Sequence, residues 1–446
     1  MRNSIRFILV AALFAVVPTV QAAETHDLLS LYVLAAAKDP SLGRARAHLE
    51  SRQVEVRIAT AYLLPRLDVN AGSNRMWTET LHYGPKTVEG AYYGYNYGAS
   101  LSQPLFNLPA IINRLDIDAG VRSSDAALTA ARQDLMMRLV DAYTQLLKDR
   151  VSERLLQDEV KRYEQIARQA QAFLKAGTGD IITTYEAQAR LDSAKAELVR
   201  TEGMRKQSAK QLETLVGIPV GALKDLGATA AEGPQPADVN YWLEQTRKVQ
   251  PQILQAREEL LLASSQVSQA RAEHMPTFNL SGGYSVSKGS TFLPEVETRQ
   301  WYAGVNLSLP IFRGGETLAR TARSKAAESE RRLILQDSTE QMLLKTEQAF
   351  MNIESSVSLL RSLEQKQKSA AIQLEATKKG LSIGTRTAVD LLNAEQTHAA
   401  SLRDLLSARY DHLHHQLQLK VVSGIASEDD LAALNSLLTT LPPEKI

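Results

Sequence analysis

The chain has 446 residues, and its 51 Lys and Arg side chains nearly balance its 50 Asp and Glu side chains, for a net charge of +1 at pH 7. This balance argues against a nucleic-acid-binding protein, because such proteins carry a marked basic excess. The sequence contains no Cys, which excludes disulfide bonds, thiol catalysis and Cys-ligated metals.

The first 22 residues have the pattern of a secretory signal peptide. Arg2 and Arg6 precede an apolar stretch at 7–17, and small residues end at Ala22. We expect residues 1–22 to be removed, because the apolar stretch is short for the alternative, an N-terminal membrane anchor. No Cys follows to accept a lipid, and no later apolar run is long enough for a transmembrane helix.

The rest of the chain is predicted to contain two copies of one plan. In each copy the order is short helix, helix, strand, loop, strand, long helix, turn and helix. Pro40 and Pro65 recur 211 positions later as Pro251 and Pro276. The predicted divisions are a first repeat at 23–221, a linker at 222–237, a second repeat at 238–424, and a short C-terminal helix and tail at 425–446.

Four strands are predicted from residues that alternate between apolar and polar, at about 66–76, 92–103, 277–288 and 299–309. The clearest example is QWYAGVNLS at 300–308, where Trp301 and Val305 fall on one face and Asn306 on the other. We expect Trp77 in the loop after the first strand. We also expect Pro104 to end the second strand, because Pro has no N–H to donate.

Each repeat is predicted to end in a long helical hairpin, at about 109–216 and 314–422. Between Ala110 and Lys175 there is no Pro and only one Gly. This predicts an unbroken helix of roughly 100 Å. The hairpin turns are predicted at Gly177 and Gly384, because Gly adopts the positive φ that helix ends require.

The strands have the length that crosses a bilayer when tilted, and their polar faces carry small Asn, Ser and Gly residues. Four strands cannot close a barrel alone, and open sheet edges cannot face lipid, so three copies giving twelve strands are expected. The predicted fold is mainly α with a membrane β-barrel and a helical barrel on one side. The alternative is a β-sandwich on a coiled-coil stalk.

Several motifs resemble the TolC family of outer-membrane channel proteins: SLSQPLF, NLSLPIFRGG, GLSIGTRTAVDLLNAEQ and ARYDHLHHQLQLK. The resemblance covers essentially the whole mature chain. It implies a homotrimer with one shared twelve-stranded barrel in the outer-membrane lipid and a helical tunnel in the periplasm. It further implies docking to a periplasmic adaptor and an inner-membrane ABC or RND pump, export of drugs or polypeptides, no catalysis and no cofactor.

The resemblance also implies a gate at the second hairpin turn, where the family's Arg makes closing links and its Asp narrows the bore. The matching residues are Arg386 and Asp390. Asn393 stands where the family has a second Asp, Leu381 where it has an aromatic partner, and Thr183 where an Asp accepts the closing link. Glu186 occupies the repeat equivalent of Asn393 and is a candidate substitute carboxylate; the alternative is a solvated helix residue.

Asp390 also has a purely structural interpretation. Thr387 and Asp390 have the spacing of a capping box, and an acidic residue in a first helical turn complements the helix dipole. The residues alone leave both interpretations open, and the family match favours the gate. The turns themselves, Gly177-Thr178 and Gly384-Thr385, are candidate docking sites for the adaptor.

His412 and His415 lie three residues apart on one helix, a spacing that metal sites use, but no carboxylate motif accompanies them, so no metal site is predicted. A non-channel coiled-coil protein of the cell surface, structural or adhesive, is the alternative function. Two equal strand pairs favour the channel, because a stalk has no need of them.

Overall fold

The computed structural model describes residues 27–79, 89–226, 232–289 and 296–439. The expected signal peptide lies outside these ranges. The helices are α1 (Leu28–Lys38), α2 (Pro40–Ala61), α3 (Leu108–Asp116), α4 (Asp118–Lys175), α5 (Ile181–Val216), α6 (Val239–Val249), α7 (Pro251–Ala272), α8 (Glu316–Ser382), α9 (Ala388–Val422) and α10 (Glu428–Ser436). The strands are β1 (Arg66–Glu79), β2 (Glu89–Phe106), β3 (Asp225–Leu226), β4 (Thr277–Lys288), β5 (Glu297–Ser308) and β6 (Leu438–Thr439).

Four strands form one antiparallel sheet in the order β1-β2-β4-β5. The register places the apolar alternates of all four strands on one face, since Val69 lies opposite Ala99, Ala99 opposite Tyr284 and Tyr284 opposite Trp301. This face is uncovered in the protomer: Val69 is 78% and Trp301 is 80% exposed. β1 and β5 are the outer strands, and each has an edge that pairs with no other described strand.

The strands extend further than expected at two places. β1 continues through Trp77, which pairs with Ala91, so the prediction that Trp77 lies in a loop is wrong. β2 continues past Pro104 to Phe106, so the prediction that Pro104 ends the strand is also wrong. The register shifts between Pro104 and Phe106, and this irregularity accommodates the donor that Pro lacks.

The first long helix is not continuous. α3 ends at Asp116 and α4 starts at Asp118, with Ile117 between them. The Gly120 amide donates to the Ile117 carbonyl at 3.0 Å, a bond that spans three residues and tightens the chain locally. α4 then runs for 58 residues, or about 87 Å.

The two short-helix pairs are joined by the same local device. The Asp39 carboxylate accepts the Leu42 amide at 2.8 Å and Pro40 starts α2, while the Gln250 side-chain oxygen accepts the Ile253 amide at 3.1 Å and Pro251 starts α7. Pro suits the first helical position because its missing N–H would have no partner there. The recurring prolines Pro40 and Pro251 therefore mark the starts of helices.

The long helices pack as one layer. α4 contacts α5 and α9, and α9 contacts α8, which leaves α5 and α8 at the two edges. Both edge helices expose large apolar side chains: Val199 on α5 is 69% exposed, and Leu333 and Ile372 on α8 are 65% and 71% exposed. No helix within the described ranges combines the length and apolar composition needed to cross a membrane.

The main apolar core lies around the middle of α4. Leu135, Leu139 and Leu146 are fully buried there against α1, α5, α9 and α10. Beside this core β3 pairs with β6, so the segment expected to be a linker and the C-terminal segment form a small sheet. Two residues per strand give no periodic pattern, which is why the sequence did not reveal it.

Candidate functional site

The ends of the two helical hairpins have nearly the same backbone geometry. In the first, Gly177 has φ 74° and the Thr178 amide donates to the Phe173 carbonyl at 3.0 Å; in the second, Gly384 has φ 78° and the Thr385 amide donates to the Gly380 carbonyl at 2.9 Å. A Cβ added at Gly177 or Gly384 would meet no atom within 4 Å. These glycines are therefore required by backbone conformation rather than by packing.

Asp390 takes part in the capping box at the start of α9. Its Oδ2 accepts the Thr387 amide at 2.9 Å and the Thr387 hydroxyl at 3.0 Å, while the Thr387 Oγ1 accepts the Asp390 amide at 3.1 Å. The backbone bond, and then the hydroxyl bond, lower the pKa of this exposed carboxyl from its usual value. The structural interpretation of Asp390 is thus confirmed. It does not exclude the gate, because the carboxylate remains exposed and ionised.

The other predicted gate residues are separated in the protomer. Thr183 donates its amide to Asp180 at 3.2 Å within the first turn of α5, and Glu186 is exposed on the same helix. The Asn393 side-chain oxygen accepts from Arg190 at 3.2 Å. Among the described residues of one protomer, Arg386 pairs with no carboxylate, so its expected closing link is not formed within a single chain.

A cleft of about 390 Å³ separates the two hairpin ends. Ile166 and Phe173 of the first hairpin and Leu381 of the second line it, and Thr183 and Lys378 are among its polar lining residues. Leu381 and Thr183, at two of the positions where this chain departs from the family, thus face one space instead of forming a polar link.

Polar contacts do join the hairpins, slightly further from the ends. Along α9, Asn393, Gln396, Glu395 and Arg403 contact Arg190 of α5 and Arg162 and Glu159 of α4. Each contact pairs α9 with the first hairpin. Of these residues the sequence singled out only Asn393, because charges of both signs alternate along every long helix and only the packing register selects the partners.

Glu395 is the most enclosed of these groups, with a side chain only 5% exposed. Its Oε2 lies 3.1 Å from the Arg162 Nε of α4, and its Oε1 lies 2.9 Å from the Lys378 Nζ of α8. The Arg162 Nε is buried and makes no well-aligned hydrogen bond. One carboxylate on α9 therefore contacts two cations, one on α4 of the other hairpin and one on α8 of its own hairpin.

The two histidines do not form a metal site. His412 is buried, with Nδ1 2.7 Å from the Ser356 hydroxyl and Nε2 3.0 Å from the Gln416 amide. Burial, and then the neighbouring His415, lowers the pKa of His412 and keeps the ring neutral. Within the described ranges no three His, Asp or Glu side chains are arranged to hold a metal ion.

Residues 31–218 and 242–424 match the family described as "Outer membrane efflux protein". The chain belongs to this family. The resemblance to TolC proteins is thereby confirmed, and the protein is an exit duct of the outer membrane. The alternative of an adhesive surface protein finds no support.

Two curated relatives illustrate the similarity. The alkaline protease secretion protein AprF of Pseudomonas aeruginosa is 30% identical over 414 residues, covering 91% of this chain and 85% of the relative. The outer membrane protein TolC of Escherichia coli K12 is 27% identical over 440 residues, covering 93% and 86%. Both alignments cover more than nine-tenths of this chain.

The fold is also shared with solved channels. The CmeC outer membrane channel of Campylobacter jejuni superposes with a TM-score of 0.78 at 18% identity, covering 93% of this chain and 90% of that one. At this identity the likeness shows the fold alone, which is mainly helical and of the outer-membrane channel type. These relatives are channel proteins rather than enzymes.

Proposed function

We propose that three copies of the chain close one channel, with a shared twelve-stranded barrel in the outer membrane and a helical tunnel in the periplasm. The observation that carries this proposal is the four-stranded sheet with two open edges and one exposed apolar face. A sheet edge cannot be left unpaired in lipid, so β5 of one copy would pair with β1 of the next. Three sheets of four strands give twelve.

The helical layer supports the same assembly. Its edge helices α5 and α8 expose the large apolar side chains of Val199, Leu333 and Ile372, which a neighbouring copy would cover. When β5 meets the next copy's β1, α8 comes to lie beside the neighbouring copy's first hairpin. The same rotation therefore covers both the open strands and the exposed apolar residues.

The stoichiometry is tested by native mass spectrometry of the detergent-purified protein. We expect three copies of the mature chain, and Ile372→Asp should reduce the trimer fraction because it places a carboxylate in the proposed seam. Ile383→Asp is the matched control, since Ile383 is 75% exposed but lies in the hairpin turn rather than along the α8 edge. A monomer or dimer in the unmodified protein would refute the assembly.

We further propose that the channel exports a polypeptide, together with a periplasmic adaptor and an inner-membrane ABC or RND pump. The support is that AprF, a relative at 30% identity, is named for alkaline protease secretion, and that PrtF of Dickeya chrysanthemi, at 24% identity, is named for secretion of proteases. Several lumen-side alternates of the strands, such as Asn70, Ser100 and Asn306, are small and neutral, which suits passage of a chain of mixed charge.

The cargo is tested by deleting the gene in the native bacterium. We expect a secreted polypeptide to disappear from the medium while drug susceptibility stays unchanged, and plasmid-borne expression should restore secretion. Increased drug susceptibility with an unchanged secretome would contradict the polypeptide proposal and favour small-molecule efflux.

At the periplasmic mouth we propose that three copies of Asp390 form a ring that attracts cations. Its exposed, ionised carboxylate supports this role, because like charges around one axis create a strong local potential. Arg386 would make its closing link to a neighbouring copy, and Asn393, Thr183 and Glu186 would line the approach to the mouth.

The hairpin turns Gly177-Thr178 and Gly384-Thr385 are proposed to contact the adaptor. The open space around both glycines supports this, since a Cβ added at either would meet no atom of the described residues within 4 Å. Pull-down from the native bacterium of the periplasmic adaptor that co-purifies with the wild type, repeated with Thr178→Arg and Thr385→Arg, tests the contact. Unchanged recovery with both variants would remove the turns from the docking surface.

A further inference from the structure

Glu395 links three of the four long helices close to the mouth. It lies on α9, seven residues after the helix starts at Ala388, or about 10 Å along the axis from the hairpin end. Its two cationic partners come from different hairpins: Lys378 belongs to α8 of its own hairpin, and Arg162 belongs to α4 of the other hairpin. This carboxylate is therefore shared between a partner on its own hairpin and a partner on the other hairpin.

We propose that Glu395 is the residue that holds the mouth closed in this chain, through its contact with Arg162. The inference rests on the proposed function, in which separation of the two hairpins widens the mouth. It explains how a closed state is maintained although Leu381 and Thr183 form no polar link to each other and Arg386 makes no ion pair with a carboxylate among the described residues.

The two contacts of Glu395 differ in a way that suits repeated opening. The contact to Lys378 is 2.9 Å long, whereas the Arg162 Nε lies at 3.1 Å without a well-aligned hydrogen bond. Separation of the hairpins would break the second contact and leave the first intact. Glu395 would then keep a counter-charge, and Arg162, already 35% exposed, would be hydrated. The closed state is thus favoured without leaving an isolated buried charge on opening.

Glu395 also separates two like charges. Without its carboxylate, the partly exposed Arg162 and Lys378 would lie on either side of an uncharged side chain, and their repulsion would favour separation of the hairpins. The contact nearest the mouth would resist this weakly, because Arg190 binds only the neutral oxygens of Asn393 and Gln396 at exposed positions. The Arg403–Glu159 ion pair also joins α9 to α4, but Arg403 lies eight residues further along α9, or about 12 Å further from the mouth. The charge of Glu395, rather than its volume, is therefore the critical property.

The test is the single-channel open probability of the purified trimer in a planar bilayer. We expect Glu395→Gln, which keeps the side-chain size, to raise the open probability about tenfold or more, as befits loss of a buried charge contact. Combining it with Arg162→Gln removes the repulsion, so the double variant should fall back toward the wild-type value. A merely structural role for Glu395 would not give this reversal.

Glu375→Gln is the matched control. Glu375 pairs with Lys379 at 3.3 Å on the same hairpin at a similar depth, but both side chains are more than 70% exposed and lie on one helix. This variant should behave as wild type, because exposed pairs of this kind contribute little. Trimer content measured by native mass spectrometry verifies assembly of every variant.

The possible outcomes separate the two proposals. An absence of channels from assembled wild-type trimers would refute the proposed function. Channels whose open probability is unchanged by Glu395→Gln in an intact trimer would overturn the role of Glu395 alone. If Glu395→Gln fails to assemble, Arg162→Gln by itself decides: a raised open probability supports the proposal, and a wild-type value overturns it.

Discussion

Two buried tyrosines hold the small β3–β6 sheet against the long helices. We expect replacement of each by Phe to destabilise the sheet, by a different amount for each tyrosine. Tyr410 of α9 donates to the Asp225 carboxyl at 2.6 Å, and Tyr143 of α4 donates to the Lys224 carbonyl at 2.7 Å. The side chains are 3% and 1% exposed. Burial, and then Asp225, raises the pKa of both phenols, so both remain donors at neutral pH.

The difference between the acceptors sets the magnitudes. Tyr410→Phe removes a bond to a carboxyl group and leaves that group short of a donor, so we expect the local opening free energy to fall by about 2 kcal/mol. Tyr143→Phe removes a bond to a neutral carbonyl and should lower it by about 1 kcal/mol. Neither change opens a cavity, because only the hydroxyl is lost.

Native-state hydrogen exchange of the β3 and β6 amides measures these energies directly. We expect exchange to accelerate about 30-fold in Tyr410→Phe and about 5-fold in Tyr143→Phe. Tyr185→Phe is the control, because Tyr185 is 69% exposed at the hairpin end and should have no effect on these strands. Equal acceleration in the two buried variants, or none in either, would refute the claim that these two hydrogen bonds stabilise the sheet to different extents.

Two further predictions concern glycine and pH. Gly177→Ala and Gly384→Ala should each destabilise their hairpin end by about 1 kcal/mol through the positive φ alone. Gly203→Ala inside α5, where an added Cβ meets no atom within 4 Å, should be neutral or stabilising. Hydrogen exchange of the flanking helical amides measures all three effects. Burial alone would raise the pKa of Asp27, but hydrogen bonds, chiefly from Ser30, outweigh it and lower the pKa to about 2. Because the folded pKa is depressed, this stabilisation is complete above pH 4 and is lost as the pH falls from about 4 to about 2. In the wild type α1 should therefore open in that pH range. Asp27→Asn should show no such transition.

The features that the sequence revealed are local or periodic. The alternation of apolar and polar residues identified the four strands, because one face of each strand must lie in an apolar environment while the other face stays polar. The capping box of Thr387 and Asp390 could be predicted from the sequence because its two residues are only three positions apart. Positive φ at Gly177 and Gly384 followed from the same kind of short-range constraint.

The features that the sequence did not reveal depend on packing between distant segments. Arg162 and Glu395 are 233 positions apart, and nothing in either helix distinguishes them from the many other charges until the register of α4 against α9 is known. The β3–β6 pair joins segments more than 200 residues apart through two residues each. Trp77 was placed in a loop because turn-forming residues follow it, yet pairing with β2 extends the strand through it.

The central claim is that the chain forms a gated channel with an acidic mouth. The most direct measurement is single-channel conductance of the purified trimer in a planar bilayer, with a trivalent cation added on the helix side. The wild type should show a small, cation-preferring, mostly closed conductance that the cation blocks, and Asp390→Asn should weaken the block. Asp180→Asn, a change of an equally exposed capping carboxylate at the other hairpin end, should not weaken it. No conductance from assembled trimers would contradict the channel, and block that ignores Asp390 would leave that residue with its capping role alone.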